Sequence, residues 1–141
     1  DNLNAEQWQT LVTDYQLNYP FVERSKMMDV IQHVNPLPNY MSVINANISE
    51  LEISADEKEI LDAWSLENHP KMMEMANKII SLEKDIYEAT LKDTPKEIIF
   101  ENILKINRMR TQIVEKKTNC RDLVKETISE QQWNSLVAMA M

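Results

Sequence analysis

The absence of glycine is the feature that most constrains how this chain can fold. None of its 141 residues is glycine, although average usage is about 7%. Tight β-hairpins generally need Gly or Asn-Gly in their turns. A chain without glycine is instead typical of helices joined by Pro, Asn and Ser. The sequence therefore predicts an all-α fold, long enough to bury a core of its own.

The charge of the chain argues against several classes of partner. Its formal net charge is −8. Non-specific nucleic-acid binding needs clustered positive charge, and anionic membrane surfaces attract basic segments. No apolar run approaches the roughly 20 residues of a transmembrane helix. We therefore expect neither nucleic-acid binding nor membrane insertion.

Three stretches carry the same signal for the start of a helix. They read LNAEQW from Leu3, ISADEK from Ile53 and ISEQQW from Ile128. In each, a small polar residue is followed three places later by Gln or Glu. This spacing is a capping box, in which each of the two side chains hydrogen-bonds the backbone amide of the other residue. The predicted pairs are Asn4 with Gln7, Ser54 with Glu57, and Ser129 with Gln132.

The apolar pattern predicts a long helical hairpin flanked by shorter helices. Helices are predicted at residues 5–17 and 21–34, after Asn39, at 54–91 and 95–126, and from Ser129. Thr94 is predicted to cap the second arm, with Pro95 in the first helical position and Glu97 completing a fourth capping box. Pro70 lies inside the first arm and either breaks or kinks it. A kink is favoured, because the apolar stripe keeps its phase across this residue.

Each arm of the hairpin carries a stripe with alternating steps of four and three residues, the spacing typical of helices packed in bundles. The first stripe comprises Leu61, Trp64, Asn68, Met72, Met75, Ile79, Leu82, Ile86 and Ala89. The second comprises Ile99, Ile103, Ile106, Arg110, Ile113, Lys117, Cys120 and Val124. The two stripes are predicted to face each other.

The two later capping boxes resemble the Leu-Thr-x-x-Gln signature of the Spy/CpxP family of bacterial periplasmic proteins. The copies here read Ile-Ser-Ala-Asp-Glu from Ile53 and Ile-Ser-Glu-Gln-Gln from Ile128, and they flank the hairpin as in that family. The resemblance covers about residues 51–137. It divides the chain into a Spy/CpxP-like hairpin domain at 51–141 and an N-terminal helical extension at 1–50, which we expect to pack on the hairpin.

The resemblance carries implications for location, assembly and activity. The family includes chaperone-like stress proteins and metal sensors. Membership would imply a periplasmic protein whose signal peptide has been removed, assembled as a homodimer and without enzyme activity. Its partners would be unfolded or misfolded proteins, or a domain of a sensor protein.

Basic residues on the second arm are candidates for binding such partners. They are Lys105, Arg108, Arg110 and Lys117. Arg110 and Lys117 interrupt the apolar stripe, where a closely packed core disfavours charge. An open, amphipathic binding face is one interpretation. Pairing with Glu from the other arm, or extension of the side chains to the edge of the seam, is the other. A structural module whose acidic face docks a partner is a further possibility.

Histidine and methionine offer an alternative function in metal binding. His69, Met72 and Met73 are three and four residues apart, so they can share a helix face. His33 could join them from the preceding segment. Imidazole and thioether suit copper, while added carboxylates would favour zinc or nickel. The sequence thus leaves open a metal sensor or carrier, and also plain packing of these methionines in the core.

The sequence gives little support for catalysis. A chain without glycine has no glycine-rich phosphate loop, and it contains neither His-Glu-x-x-His nor the Glu-x-x-His motif of di-iron bundles. Cys120 is the single cysteine. Its place on the predicted seam favours a buried, unreactive thiol, with a disulfide between two copies as the alternative. We therefore expect a protein that is not an enzyme.

Overall fold

The computed structural model describes residues 4–10 and 37–141. The latter range contains four helices: α1 (Tyr40–Ala46), α2 (Ala55–Leu91), α3 (Lys96–Thr127) and α4 (Glu130–Ala140). Residues 5–10 are also helical, and the described residues contain no strand. The predicted all-α hairpin with shorter flanking helices is confirmed. The predicted helix at 21–34 and the end of the one at 5–17 lie outside the described residues.

Three of the four predicted capping boxes are confirmed. The Gln7 amide donates to Asn4 Oδ1 over 2.8 Å, and the Asn4 amide donates to Gln7 Oε1 over 3.0 Å. Ser54 with Glu57 and Ser129 with Gln132 make the same reciprocal bonds at the starts of α2 and α4. The capping-box spacing therefore predicted correctly where these three helices begin.

The predicted capping box at Thr94 is wrong. Pro95 occupies the cap position of α3 with an extended ψ of 137°, and no side chain caps this helix. The Pro95 carbonyl accepts the first helical hydrogen bonds, from the amides of Ile98 and Ile99. Thr94 therefore lies one residue too early to cap, and its amide bonds back to the Ala89 carbonyl, 3.2 Å away, at the end of α2.

The seam between α2 and α3 holds two clusters of buried side chains. The proximal core lies where α2 begins and α3 ends, and α1 and α4 contribute to it. Its buried members are Met41, Ile44, Leu51, Leu61, Cys120, Val124, Ile128 and Leu136. The distal cluster lies nearer the loop between the arms and contains Ile79, Ile106 and Ile113.

The predicted stripes are confirmed at nearly every position. All nine stripe residues of α2 are buried or half-buried, and so are seven of the eight on α3. Ile103 is the exception, because it is 40% exposed. The seam is therefore less closely packed on the α3 side near the distal loop.

Helix α2 continues through Pro70 as one helix of 37 residues. The prediction that the arm is not broken there is confirmed. Proline has no N–H to donate to the Leu66 carbonyl, so one hydrogen bond of the helix is missing at this point. The expected kink stays a prediction.

Two of the described residues take the left-handed backbone conformation, and each lies in a turn between helices. Glu52 has a φ of 53° and Asp93 a φ of 56°. A non-glycine residue in this region costs about 1–2 kcal/mol relative to right-handed backbone. Asp tolerates the region better than most residues do. Glu52 lies in the turn between α1 and α2, where its carbonyl accepts a hydrogen bond from Gln132.

The capping boxes of α2 and α4 meet in space. Gln132 Nε2 lies 3.1 Å from the Leu51 carbonyl oxygen, 3.0 Å from that of Glu52 and 3.1 Å from Glu57 Oε2. Glu57 is itself the capping-box acid of α2. The two similar stretches therefore form one hydrogen-bonded junction that closes the proximal end of the hairpin.

Residues 4–10 contact the opposite end of the hairpin. Trp8 Nε1 donates to the Leu91 carbonyl over 3.2 Å, at the last residue of α2. Within the ranges 4–10 and 37–141, no helix combines the length and the apolar content needed to cross a membrane.

Candidate functional site

A cavity of about 200 Å³ lies between α2, α3 and the segment that leads into α1. We call it the mid-hairpin cavity. Its chemically distinctive lining residues are Met41, Trp64, His69, Met72, Met73, Lys117 and Cys120. Within residues 4–10 and 37–141, neither Asp nor Glu lines it. The cavity is thus walled mainly by apolar, aromatic and sulfur-containing side chains.

Helical spacing brings these side chains to one place. On α2, His69, Met72 and Met73 lie within about one turn of each other and face the same side. Ala76, one turn further along, also lines the cavity and is too small to fill it. On α3, Lys117 and Cys120 are three residues apart and form the facing wall.

The structure brings three of the four predicted metal ligands together at this cavity. Met72 and Met73 are half-buried in its wall, and His69 is exposed at its edge. The fourth, His33, lies outside the described residues. Two further sulfur atoms, of Met41 and Cys120, were not predicted as ligands. They come from other segments, so no local spacing could have found them.

At the facing wall, burial and a nearby charge shift the pKa of Cys120 in opposite directions. Lys117 Nζ donates to the Leu37 carbonyl over 3.2 Å. Burial lowers the pKa of Lys117, and burial raises the pKa of the Cys120 thiol to about 11, although the nearby ammonium group acts in the opposite direction. The prediction that Cys120 is buried is confirmed. At neutral pH it is a protonated thiol, a poor nucleophile.

The four predicted partner-binding residues fall into two groups. Arg110 and Lys117 both have partners within the protein. Arg110 Nη2 lies 2.6 Å from Glu83 Oε1 on the other arm of the hairpin, and Lys117 donates to the Leu37 carbonyl ahead of α1. For Arg110 this is the ion pair that the sequence offered as an alternative to an open face. Lys105 and Arg108 are instead exposed. They share a surface groove with Lys78, Leu82 and Met109.

An exposed apolar row lies beside this groove. Phe100 is 60% exposed and Leu104 is 58% exposed. With Arg108 they are spaced four residues apart, so the three side chains form a line along the outer face of α3. Ile103 adjoins this line from the edge of the seam. We call Phe100, Ile103 and Leu104 the apolar row.

Comparisons of the chain with known protein families, with curated proteins and with solved structures found no match. The resemblance to the Spy/CpxP family therefore rests on the capping boxes and the order of the helices. The cavity, the groove and the apolar row are the structural features that bear on function.

Proposed function

We propose that this chain is a non-enzymatic periplasmic protein of Spy/CpxP type that binds unfolded proteins on the outer face of α3. The apolar row carries this proposal. Large apolar side chains exposed side by side are a feature of protein-binding surfaces. The expected occupant is an extended segment with both apolar and acidic side chains, because the row leads into cationic residues.

The charges beside the row favour acidic groups in the occupant. Arg108 continues the line of the apolar row, and Lys105 lies next to it on the same surface. The Lys105 ammonium is 3.6 Å from Glu101 and remains about half exposed. Exposed ion pairs of this kind contribute little to stability, so a bound carboxylate can replace Glu101 at small cost.

An aggregation assay tests the proposal. Equimolar protein should slow light scattering from an unfolded client, and Leu104→Asn should weaken this effect. Full burial of a Leu side chain contributes about 1.5–3 kcal/mol. With Leu104 58% exposed, its loss should cost about 1 kcal/mol, or roughly fivefold in affinity for the client.

Leu66→Asn is the matched control. Leu66 lies on α2 and is 81% exposed, so the same substitution is made on a helix surface away from the apolar row. A second matched pair is Lys105→Gln and Lys71→Gln. Both lysines pair with a Glu four residues earlier, and both are about half exposed. Only the Lys105 variant should weaken client binding.

The mass of the protein in solution shows whether the apolar row binds a client or a second copy of the chain. If Leu104→Asn converts a dimer into a monomer without changing protection of the client, the apolar row is a dimer interface and the proposal fails. It also fails if the wild-type protein does not slow aggregation, or if the Leu66 and Leu104 variants behave alike.

A further inference from the structure

The mid-hairpin cavity collects soft metal-binding atoms from separate parts of the chain. We propose that it binds one Cu(I) ion through the imidazole of His69, the thioethers of Met72 and Met73, and the sulfur of Cys120. This site is independent of the proposed binding of unfolded proteins, which uses the outer face of α3. It joins residues of α2 to a residue of α3 that sequence spacing does not connect.

The donor set favours a soft monovalent cation. Thiolate sulfur suits both Cu(I) and zinc, and the two soft thioethers favour Cu(I), whereas carboxylate and carbonyl oxygen suit magnesium, calcium and manganese. Among the described residues, none that lines the cavity carries a carboxylate. In the described part of the chain, no group of three or more His, Cys, Asp or Glu residues is placed to hold a metal ion. The described part of the chain therefore offers zinc and nickel no group of three such ligands.

The two walls of the cavity play different roles in the proposed site. His69 is exposed at the edge, so it provides a first contact for an entering ion. Met72 and Met73 lie deeper and are half-buried. Their unbranched side chains have three rotatable bonds, which allows the sulfur atoms to adjust around an ion. Cys120, only 4% exposed, lies on the facing helix and would close the site.

Binding through Cys120 must release a proton. The thiol S–H bond breaks, the Cu–S bond forms, and one H⁺ leaves to solvent for each ion bound. The copper stays Cu(I) throughout, so no oxidant or reductant takes part. The ammonium group of Lys117 lines the same wall and balances the negative charge that the thiolate acquires.

An anaerobic titration with Cu(I), in competition with the coloured chelator bicinchoninate, tests the proposal. The protein should remove one equivalent of Cu(I) from the chelator. The double variant Met72→Leu, Met73→Leu keeps apolar side chains of similar volume. It should bind at least about tenfold more weakly, since even the loss of outer-shell partners costs 10–100-fold in metal affinity.

Met75→Leu is the matched control. Met75 lies on the same helix and is also half-buried, but it packs against the distal cluster rather than lining the cavity. The Cu(I) affinity of the Met75→Leu variant should stay within about twofold of that of the wild-type protein. His69→Gln and Cys120→Ala should each weaken binding. The exposed position of His69 means that its variant tests the site without disturbing the core.

Several results would overturn the assignment. They are failure of the wild-type protein to compete with the chelator, equal loss in the Met75 variant and the double Met variant, and Zn(II) binding as tight as Cu(I). X-ray absorption of the copper complex should show sulfur neighbours, and a spectrum with only nitrogen and oxygen would also refute the site. Thermal melts of each variant show whether a loss of affinity reflects unfolding.

Discussion

Replacing Gln132 with alanine tests whether the two capping boxes at the proximal end stabilise the fold together. Its Oε1 accepts from the Ser129 amide over 2.7 Å. Its Nε2 lies within 3.1 Å of three acceptors, on Leu51, Glu52 and Glu57. An amide nitrogen has only two hydrogens to donate. At most three strong hydrogen bonds therefore form at one time, one accepted and two donated.

The expected cost follows from that count. Each hydrogen bond contributes about 0.5–1.5 kcal/mol net, which would total about 3 kcal/mol for three bonds. Gln132 is half-buried, and water can replace part of what is lost. We therefore expect Gln132→Ala to lower the free energy of unfolding by about 2 kcal/mol. For a chain of this size, that corresponds to about 8 °C in Tm.

Urea unfolding followed by circular dichroism measures this change, and Gln131→Ala is the control. Gln131 occupies the same first turn of α4 and is exposed, so its substitution should change the free energy of unfolding by less than about 0.5 kcal/mol. A cycle with Glu57→Ala should give a coupling energy of at least about 0.5 kcal/mol. If the Gln131 and Gln132 variants are equally stable, the hydrogen bonds of Gln132 do not stabilise the fold and the prediction is wrong.

Three further substitutions test other parts of the hairpin. Arg110→Met should change the free energy of unfolding by less than about 1 kcal/mol. The reason is that loss of the half-exposed pair with Glu83 is offset by removal of Nε, which is buried without a hydrogen-bond partner. A larger loss in urea unfolding would contradict this balance. Pro70→Ala should raise Tm because it restores a helical N–H; a fall in Tm would show that the proline ring is needed for packing. Wild-type protein should lose stability relative to Cys120→Ala as pH rises above 9 toward 11. The raised pKa of the Cys120 thiol makes the folded state bind more protons than the unfolded state in that window. Urea unfolding at pH 8 and 10 checks this sign, and an unchanged difference would refute it.

The helix starts could be predicted because they depend on residues three apart. Each capping box is a local interaction, and three of the four predicted ones are confirmed. The failure at Thr94 is also local. Thr94 and Pro95 both suit the start of a helix, and spacing alone does not decide which of them occupies the cap position. The structure places Pro95 there, and its carbonyl makes the first helical bonds.

The junction and the full cavity could not be predicted, because they join segments that are distant in the sequence. Gln132 and Glu57 are 75 residues apart. Each was recognised as the partner of its own cap, with no signal that the two side chains would meet. His69, Met72 and Met73 could be grouped by helical spacing, whereas Met41 and Cys120 reach the same cavity only after α1 and α3 have packed against α2.

The position of the junction gives a physical reason why the apolar row lies away from the proximal end. There, α1, α4 and the two hairpin arms share one core, and the Gln132 bonds fix the turn that carries the strained Glu52. Further along the hairpin, the distal cluster has three fully buried side chains among the described residues. A helix pair held firmly at one end can leave large apolar residues exposed near the other without losing its fold, because most of its stability is supplied elsewhere. Under the proposed function, that arrangement would give the apolar row freedom to adapt to different clients. The mid-hairpin cavity lies between the two regions, where the α3 wall is anchored by Cys120 in the proximal core and the α2 wall carries the missing hydrogen bond at Pro70.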